Sequence, residues 1–345
     1  MKKKVVAFGE IMLRLSPPQH QTLTQATQLD CQFGGSELNV LSTLGQLGHT
    51  VSLVSAIPDN DLGHMAESFL FAHQIGQEHL VKSGDRLGIY YYQKGFSLRN
   101  SRVLYDRKFS SFYESQLSDY DLEAIVEDMD WLHVSGITVA LNPNIYAIAL
   151  ALMTKAKEKN IPISFDLNYR ESLWDSFQQA RDDLSKLVAL ADVCIGIEPV
   201  SLLTDKGGDL KDELGLTRPY KDREVLLTVL ETMADRYGLK YIAFTEREIG
   251  ATNEYLLKAY LYDAQEAILH ETDREAIQVL DRVGTGDAYT AGIIYGLLEN
   301  VSVPEVLELG MASFKFKHTI EGDINIVTKD DIEQFMKKGD LDIKR

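Results

Sequence analysis

Short, continuously apolar segments alternate with longer segments of helical character along most of the chain. Residues 5–9 (Val-Val-Ala-Phe-Gly) are continuously apolar, residues 51–57 and 161–165 are apolar except for serines, and all three segments are rich in β-branched or aromatic side chains. A continuous apolar run of this length is typical of a strand buried on both faces, as in a parallel sheet covered by helices. The alternation therefore predicts a doubly wound α/β core with a mostly parallel sheet.

Two neighbouring segments break this alternation and read as strands with no helix between them. Residues 87–93 (Leu-Gly-Ile-Tyr-Tyr-Tyr-Gln) and 102–108 (Arg-Val-Leu-Tyr-Asp-Arg-Lys) are aromatic and alternating, which predicts a hairpin standing off the core. The tyrosines of this hairpin, with Arg107 nearby, could form one wall of a polar pocket. The alternative is that they only belong to a half-buried strand. The alternating Leu13-Arg14-Leu15 is closed by two prolines and predicts an edge or lid strand with one face toward water.

Charge and composition restrict the partners of this protein. The 345 residues include 35 basic and 52 acidic ones, for a net charge of −17, which argues against recognition of DNA or RNA. Cys31 and Cys194 belong to no Cys-x-x-Cys pattern, and the histidines show no metal-ligand spacing. The apolar run after the N-terminal lysines is interrupted by Glu10, too soon for a secretion signal. We predict a cytoplasmic protein with no nucleic-acid or membrane partner.

The segment 279–292 (Val-Leu-Asp-Arg-Val-Gly-Thr-Gly-Asp-Ala-Tyr-Thr-Ala-Gly) predicts an anion-binding turn that opens a helix. Glycines at 284 and 286 let the backbone bend and expose N–H groups, and a helix N-terminus adds a positive dipole. Asp287 in the same turn would repel a phosphate, so it fits the role of a base beside a reacting hydroxyl. The alternative is that Asp287 caps the helix. The spacing matches neither a Walker P-loop nor a dinucleotide fingerprint.

Two further places gather polar groups or bare backbone. Residues 34–35 are a glycine pair that enters an apolar helix, where a substrate could approach closely or where Ser36 could simply be the N-cap. The strand 161–165 ends in Asp-Leu-Asn-Tyr-Arg, at the edge where open α/β sheets keep their ligands. Arg170 is therefore a site candidate, with a solvated surface charge as the alternative. The charged segment 206–223 is predicted to be an exposed excursion.

These features occur in the order found in ribokinase-like sugar kinases, and the resemblance spans nearly the whole chain. Gly34-Gly35 with Asn39 resembles the N-terminal glycine signature of that family, and residues 281–288 resemble its C-terminal Asp-Thr-x-Gly-Ala-Gly-Asp signature. The 2-keto-3-deoxygluconate kinases within the family are similar at residues 9–14, 88–90, 105–107, 165–170 and 317–323. Sugar-selective relatives usually carry an aspartate for sugar hydroxyls soon after the first strand, whereas this chain has Arg14 nearby and no such aspartate.

The resemblance implies one ribokinase-like kinase domain over residues 1–345. Its core would be a three-layer α/β/α sandwich, with a small β-sheet lid from residues near 11–35 and 87–110. ATP and Mg²⁺ would be cofactors, and the family commonly forms a homo-oligomer, here expected through the lid.

The resemblance also implies roles for individual residues. Asp287 would be the catalytic base, and the backbone N–H groups of Gly284, Thr285 and Gly286 would form an anion hole that also holds the nucleotide phosphate. Many relatives have Asn-x-x-Glu where residues 195–198 read Ile-Gly-Ile-Glu, so Glu198 alone would order the magnesium, indirectly. The residues that would hold the sugar acid are Gly34, Asn39, Tyr90, Tyr105, Arg107 and Arg170.

The predicted activity is ATP-dependent phosphorylation of the terminal hydroxyl of 2-keto-3-deoxygluconate or a close sugar acid. One alternative is a fructokinase-like enzyme of the same fold, which would have no use for both Arg107 and Arg170. Another is a sugar-acid sensor without catalytic activity, against which the intact Asp287 argues.

Overall fold

The computed structural model describes residues 2–250 and 254–337, and its largest element is a sheet of eleven strands in that part of the chain. These strands are β1 (Lys4–Phe8), β4 (Thr50–Ile57), β5 (Ile75–Gly76), β6 (Leu80–Lys82), β9 (Trp131–Ser135), β10 (Ile163–Asp166), β11 (Val193–Ile195), β12 (Tyr241–Ile249), β13 (Glu254–Asp263), β14 (Ile268–Glu271) and β15 (Glu275–Gln278). The helices are α1 (Ser36–Gln46), α2 (Asp61–Ala72), α3 (Ser111–Glu114), α4 (Leu122–Glu127), α5 (Gly136–Val139), α6 (Pro143–Glu158), α7 (Phe177–Val188), α8 (Leu210–Glu213), α9 (Arg223–Tyr237), α10 (Thr285–Glu299), α11 (Val303–His318) and α12 (Lys329–Met336).

Strand β1 lies in the middle of this sheet. The order is β14-β13-β12-β11-β10-β9-β1-β4-β5, parallel from β12 to β5 and antiparallel beyond β12. Successive β1 side chains point to opposite faces, so Val6 packs in one apolar cluster with residues of α6, α7 and α9, and Val5 in another with α1, α10 and α11. The predicted three-layer core with a mostly parallel sheet is confirmed.

A separate sheet of four strands stands off the core, in the order β3-β2-β7-β8. Its strands are β2 (Met12–Ser16), β3 (Asp30–Gly34), β7 (Gly88–Gln93) and β8 (Arg102–Asp106). The predicted hairpin of β7 and β8 is confirmed. For residues 13–15 the prediction left an edge strand or a lid strand open: β2 belongs to the small sheet predicted as the lid, whereas the edge position and the exposure of Arg14 that the alternation implies are wrong. β2 lies between β3 and β7, and Arg14 is only 4% exposed because two carboxylates from the core pair with it.

The small sheet follows β1 directly, so it lies beyond the carboxyl end of the central strand. β9, β10, β11 and β12 run parallel to β1, and their carboxyl ends therefore meet at the same edge of the sheet. This arrangement leaves a cleft between the small sheet and the strand ends. Among the described residues, no helix has both the length and the apolar character needed to cross a membrane.

Candidate active site

A cavity of about 740 Å³ fills the cleft between the small sheet and the strand ends. It brings together residues that lie far apart in the sequence, including most of those predicted as site residues. The predicted residues that line it are Asn39, Tyr90, Tyr105, Arg170, Glu198, Gly284, Thr285, Gly286 and Asp287. Gly34 and Arg107 do not line it.

Asp287 lies in the first turn of α10 and is 9% exposed. Its Oδ1 accepts a hydrogen bond from Ser36 Oγ at 2.8 Å, and its Oδ2 accepts one from Asn39 Nδ2 at 2.7 Å. No side chain caps α10, whose N-cap is Gly284, so the alternative in which Asp287 caps the helix is wrong. The carboxylate is instead held by the start of α1, across the cavity floor.

Burial sets the protonation of this carboxylate. Desolvation raises the pKa of Asp287 from 3.8 to about 6, against the hydrogen bonds from Asn39 and Ser36, which lower it. Asp166, at the end of β10, has its pKa raised to about 7 by desolvation and by the nearby charge of Asp287. A base works best when its pKa lies near the operating pH, and Asp287 meets that condition while remaining mostly ionised at pH 7.

A short chain of hydrogen bonds fixes Asp287 from the strand ends. Asn168 Nδ2 donates to Ser36 Oγ at 2.9 Å, and Ser36 Oγ donates to Asp287. The alternative that Ser36 is the N-cap of α1 is wrong, because Gly35 occupies the cap and Ser36 is the first helical residue. Ser36 is therefore free to turn its hydroxyl toward the acid.

The loop before α10 is packed tightly against a second segment of the core. Gly284 has a φ of +75°, and a Cβ there would lie 1.9 Å from the backbone oxygen of Asp323. Gly34 has a similar role, since its Cβ would lie 2.0 Å from Asp323 Oδ2. Gly286 differs from both, because a Cβ there meets no atom within 4 Å. The first two glycines shape the site, and the third leaves open space above the helix N-terminus.

Arg14 joins the small sheet to this loop. Its guanidinium donates to Asp323 Oδ1 at 2.6 Å and to Asp281 Oδ2 at 3.1 Å. Asp281 Oδ1 in turn accepts from Val283 N at 3.0 Å, and Tyr90 OH donates to Asp323. The backbone that carries the predicted anion hole is thus supported by two carboxylates that Arg14 bridges.

The two arginines predicted to hold a sugar acid lie in different surroundings. Arg170 is exposed, lines the cavity and donates to the carbonyl of Tyr169 at 3.0 Å. Arg107 is 6% exposed and lies behind the cavity wall, where its Nε donates to Glu10 Oε2 at 2.7 Å. Of the two guanidiniums, only that of Arg170 faces the open space.

Glu198, three residues after the end of β11, lines the cavity on the side of the predicted nucleotide site. Its Oε2 is buried without a hydrogen-bond partner among the described residues, 3.6 Å from Lys211 Nζ and 3.8 Å from Arg181 Nη2. Desolvation raises the pKa of this carboxyl. An unsatisfied carboxylate oxygen fits an indirect role toward a hydrated Mg²⁺, although the two cations already offset part of its charge.

A second acidic group lies outside the cavity. Glu78, His79 and Asp128 bring their ligand atoms within 4.8 Å of one another, the kind of arrangement that can hold a metal. Lys4 Nζ pairs with both carboxylates, so an ammonium already supplies the positive charge there.

Several lining residues are missing from the prediction. Asp166 and Asn168 belong to the polar segment 166–170 after β10, in which the sequence analysis predicts only Arg170 as a site residue. Asp323 lies in segment 317–323, which resembles the 2-keto-3-deoxygluconate kinases. A polar cluster after a buried strand could have identified the first two. Arg282 lies in the predicted anion-binding turn, where the prediction gives it no role of its own, and nothing in the sequence around Arg218 and Arg247 singles them out, yet all three line the cavity.

Comparisons with known proteins agree with this geometry. The sequence model of the family described as "pfkB family carbohydrate kinase" matches residues 2–199. A 2-dehydro-3-deoxygalactonokinase from Haloferax volcanii is 30% identical over 348 aligned residues, covering 100% of both chains. The crystal structure of a 2-dehydro-3-deoxygluconokinase from Thermotoga maritima is 32% identical, with a TM-score of 0.88, covering 98% of this chain and 99% of that one.

A more distant structure shows the fold alone. An uncharacterized sugar kinase from Pyrococcus horikoshii in complex with ATP is 19% identical, with a TM-score of 0.69, covering 96% of this chain and 99% of that one. The family match extends over more than half of the chain, and the Haloferax relative aligns from end to end. The chain therefore belongs to the pfkB family of carbohydrate kinases.

Proposed function

We propose that this protein transfers the γ-phosphoryl group of ATP to the terminal hydroxyl of 2-keto-3-deoxygluconate or a close sugar acid, giving 2-keto-3-deoxy-6-phosphogluconate and ADP. The observation that carries the proposal is the buried Asp287 carboxylate, held by Ser36 and Asn39 at the N-terminus of α10. The Haloferax and Thermotoga relatives, whose names specify sugar-acid kinases, support the substrate class.

In this proposal Asp287 removes the proton from the substrate hydroxyl. The hydroxyl oxygen bonds to the γ-phosphorus of ATP, and the bond between that phosphorus and the leaving oxygen of ADP breaks. Phosphoryl transfer asks the protein mainly for alignment and charge neutralisation. The N–H groups in the first turn of an α-helix have no intrahelical partner, so those of the Gly284-Thr285-Gly286 turn can donate to phosphoryl oxygens. Two hydrogen bonds to Asp287 keep its carboxylate oriented.

Tyr90 and Tyr105 form the sugar side of the pocket, with ring centroids 5.9 Å apart. Asn39 and the backbone at Gly35 complete this side, and Arg170 binds the substrate carboxylate with its planar guanidinium. Arg107 remains a predicted ligand that must leave Glu10 to reach a substrate.

ATP is the proposed phosphoryl donor, and membership of the pfkB family of carbohydrate kinases supports this. Mg²⁺ would neutralise the nucleotide phosphates when bound. Glu198 is the residue proposed to hold the water shell of that ion, because its Oε2 has no hydrogen-bond partner in the described chain.

We also propose that the whole chain acts as one cytoplasmic kinase domain and forms a homo-oligomer through the small sheet. The support for an oligomer is the outer strand β8, all of whose residues are exposed. Val103 and Leu104 are apolar side chains of that strand with 46% and 60% of their surface accessible. Apolar side chains in this position are suited to contact with a second copy.

A neutral-sugar kinase is the second candidate, favoured by the pairing of Arg107 with Glu10, because of the two arginines predicted to bind a carboxylate only Arg170 is then available. The test is a coupled ADP-release assay with 2-keto-3-deoxygluconate, 2-keto-3-deoxygalactonate, 5-keto-2-deoxygluconate, fructose and ribose. We expect the highest kcat/KM with a 2-keto-3-deoxy sugar acid. Faster turnover of fructose than of every acid would replace the proposal with the second candidate, and no turnover of any sugar would favour a sensor.

A further inference from the structure

Four arginines line the cavity, and in the described part of the chain none of them has a carboxylate oxygen within 4.0 Å: Arg170, Arg218, Arg247 and Arg282. The arginines outside it that do pair with carboxylates are Arg86, Arg181, Arg223, Arg274, and the buried Arg14 and Arg107. In a protein with a net charge of −17, arginines without counter-charges around one cavity indicate a site for anionic ligands.

Arg247 and Arg282 form a pair within this set. The guanidinium carbons of both lie over the ring of Tyr255, at 5.5 Å and 5.7 Å from its centroid, and Arg282 Nη1 donates to the Tyr255 hydroxyl at 3.1 Å. Desolvation and the charge of Arg282 lower the pKa of Arg247. The tyrosine thus holds two like charges near each other, an arrangement that favours a ligand with more than one negative charge.

The pair lies next to the predicted anion hole, away from the small sheet. Arg282 is two residues before Gly284, and its carbonyl accepts a hydrogen bond from Thr285 Oγ1 at 3.0 Å. Arg247 lies on β12, which is four strand spacings, about 19 Å, from β1 in the sheet order. The tyrosines of the sugar side belong to the small sheet that follows β1. A ligand that reaches Arg247 therefore extends past the transferring phosphoryl group, away from the sugar.

We propose that Arg247 and Arg282 bind the phosphate groups of the nucleotide, as a two-arginine clamp assembled on Tyr255. This inference rests on the proposed kinase function and assigns the nucleotide side of the same cavity. A guanidinium matches phosphate oxygens in a two-pronged way, and a nucleoside di- or triphosphate offers several charges to the pair. A sugar acid carries one carboxylate, so it cannot use both arginines in this manner.

The test is titration calorimetry of ADP, AMP and adenosine, with Mg²⁺ and without any sugar, on the wild type and on Arg247→Gln, Arg282→Gln and the double variant. Each single variant should bind ADP about tenfold more weakly, and the double variant about a hundredfold, because charge-assisted hydrogen bonds are lost. Affinity for adenosine should stay within about twofold of wild type. Arg282→Lys should recover part of the loss, since it restores the charge without the fork.

Arg274→Gln is the matched control, because Arg274 lies near the same strand but pairs with Glu246 and Glu248. It should leave ADP affinity unchanged. Steady-state kinetics then separate the two sides of the cavity: KM for ATP should rise in the Arg247 and Arg282 variants, and KM for the phosphoryl acceptor should not. Unchanged ADP affinity would overturn the clamp, and a raised KM for the acceptor alone would assign the pair to the sugar acid. Wild-type protein that binds ADP but phosphorylates no sugar would refute the proposed function and leave the clamp intact.

Discussion

Arg107 Nε donates to Glu10 Oε2 at 2.7 Å in a buried pair that links the end of the β7–β8 hairpin to the segment after β1. Ser110 Oγ donates to the other oxygen of Glu10. Both carboxylate oxygens of Glu10 therefore accept a hydrogen bond from the same loop. The pairing makes Arg107 a structural contact in the ligand-free protein, whereas Arg170 is free to bind.

The first prediction separates these two arginines. Arg170→Ala should raise KM for the sugar acid about tenfold or more, because a charge-assisted hydrogen bond contributes roughly 1.5–3 kcal/mol, and it should hardly change KM for ATP. Arg107→Ala should in addition lower the free energy of unfolding by about 3–5 kcal/mol, because it leaves Glu10 buried without its cation. Kinetics and urea unfolding measure the two effects.

The paired variant Arg107→Met with Glu10→Gln is the control for the second effect. It removes both charges, so it should recover most of the stability lost in Arg107→Ala. A raised KM for ATP in Arg170→Ala would place Arg170 on the nucleotide side instead.

The second prediction concerns the base. Asp287→Asn keeps the shape of the side chain but cannot accept a proton, so kcat should fall by about 10²–10⁴ while KM for both substrates changes little. The assay is coupled ADP release with the sugar acid that gives the highest rate. A kcat within about threefold of wild type would remove Asp287 from the mechanism.

The third prediction is a pH dependence with a defined sign. Because burial raises the pKa of Asp287 to about 6, the folded protein binds this proton more tightly than the unfolded chain does, with its ordinary pKa of 3.8. The ionised carboxylate therefore destabilises the fold above pH 6, by up to about 3 kcal/mol, and this cost disappears below pH 4. Asp287→Asn should be more stable than wild type at pH 8, and the difference should shrink toward pH 4.

Urea unfolding at several pH values measures this difference, with the exposed Asp175→Asn as the control. In the wild type, kcat/KM should fall as the pH drops through about 6, since the protonated carboxyl cannot act as a base. A stability difference that is the same at pH 8 and pH 4.5 would contradict the raised pKa.

The fourth prediction contrasts two glycines of one turn. Gly286→Ala meets no neighbouring atom and lies in a helix, so it should leave the melting temperature unchanged or slightly raised. It should lower kcat, because a methyl group there obstructs the approach of the phosphoryl group to the backbone. Gly284→Ala should destabilise the fold outright, because its φ is +75° and Asp323 O is in the way. Gly286→Ala with wild-type kcat would show that this residue is not near the transferred group.

The fifth prediction tests the support of the loop by Arg14. Arg14→Met removes one cation from two buried carboxylates and should lower the free energy of unfolding by about 3–5 kcal/mol. Arg86→Met breaks the exposed pair with Asp106 and should cost about 1 kcal/mol or less. Similar losses in the two variants would show that Arg14 does not carry the loop.

The core of the fold could be predicted because its signals are local. Continuous apolar runs such as residues 5–9 predict buried strands, and the glycines at 284 and 286 mark the turn before α10. The environment of Arg14 could not be predicted, because alternation in Leu13-Arg14-Leu15 assigns it to water, whereas its partners lie 267 and 309 residues away.

The segment 206–223 illustrates the same limit. Its composition predicts an exposed excursion, yet Lys211 is 1% exposed and pairs with the buried Asp209. Charged residues can be buried only with a partner, and the sequence does not show which charges will meet. The buried pair of Arg107 and Glu10 is another example. Taken separately, each residue is compatible with an exposed position or with a binding site, and the sequence does not show that the two pair. The strand and turn positions were therefore accessible from the sequence, while the ion pairs were not.

The Arg14–Asp323 pair also has a consequence for biosynthesis. Asp323 is synthesised 309 residues after Arg14. At roughly 5–20 residues per second, the ribosome needs about 15–60 s to supply this partner. During that time Arg14 lacks this carboxylate, and the loop before α10, once made, still lacks the backbone of Asp323 that packs on Gly284. The proposed phosphoryl-transfer site is therefore incomplete in every nascent chain that ends before residue 323.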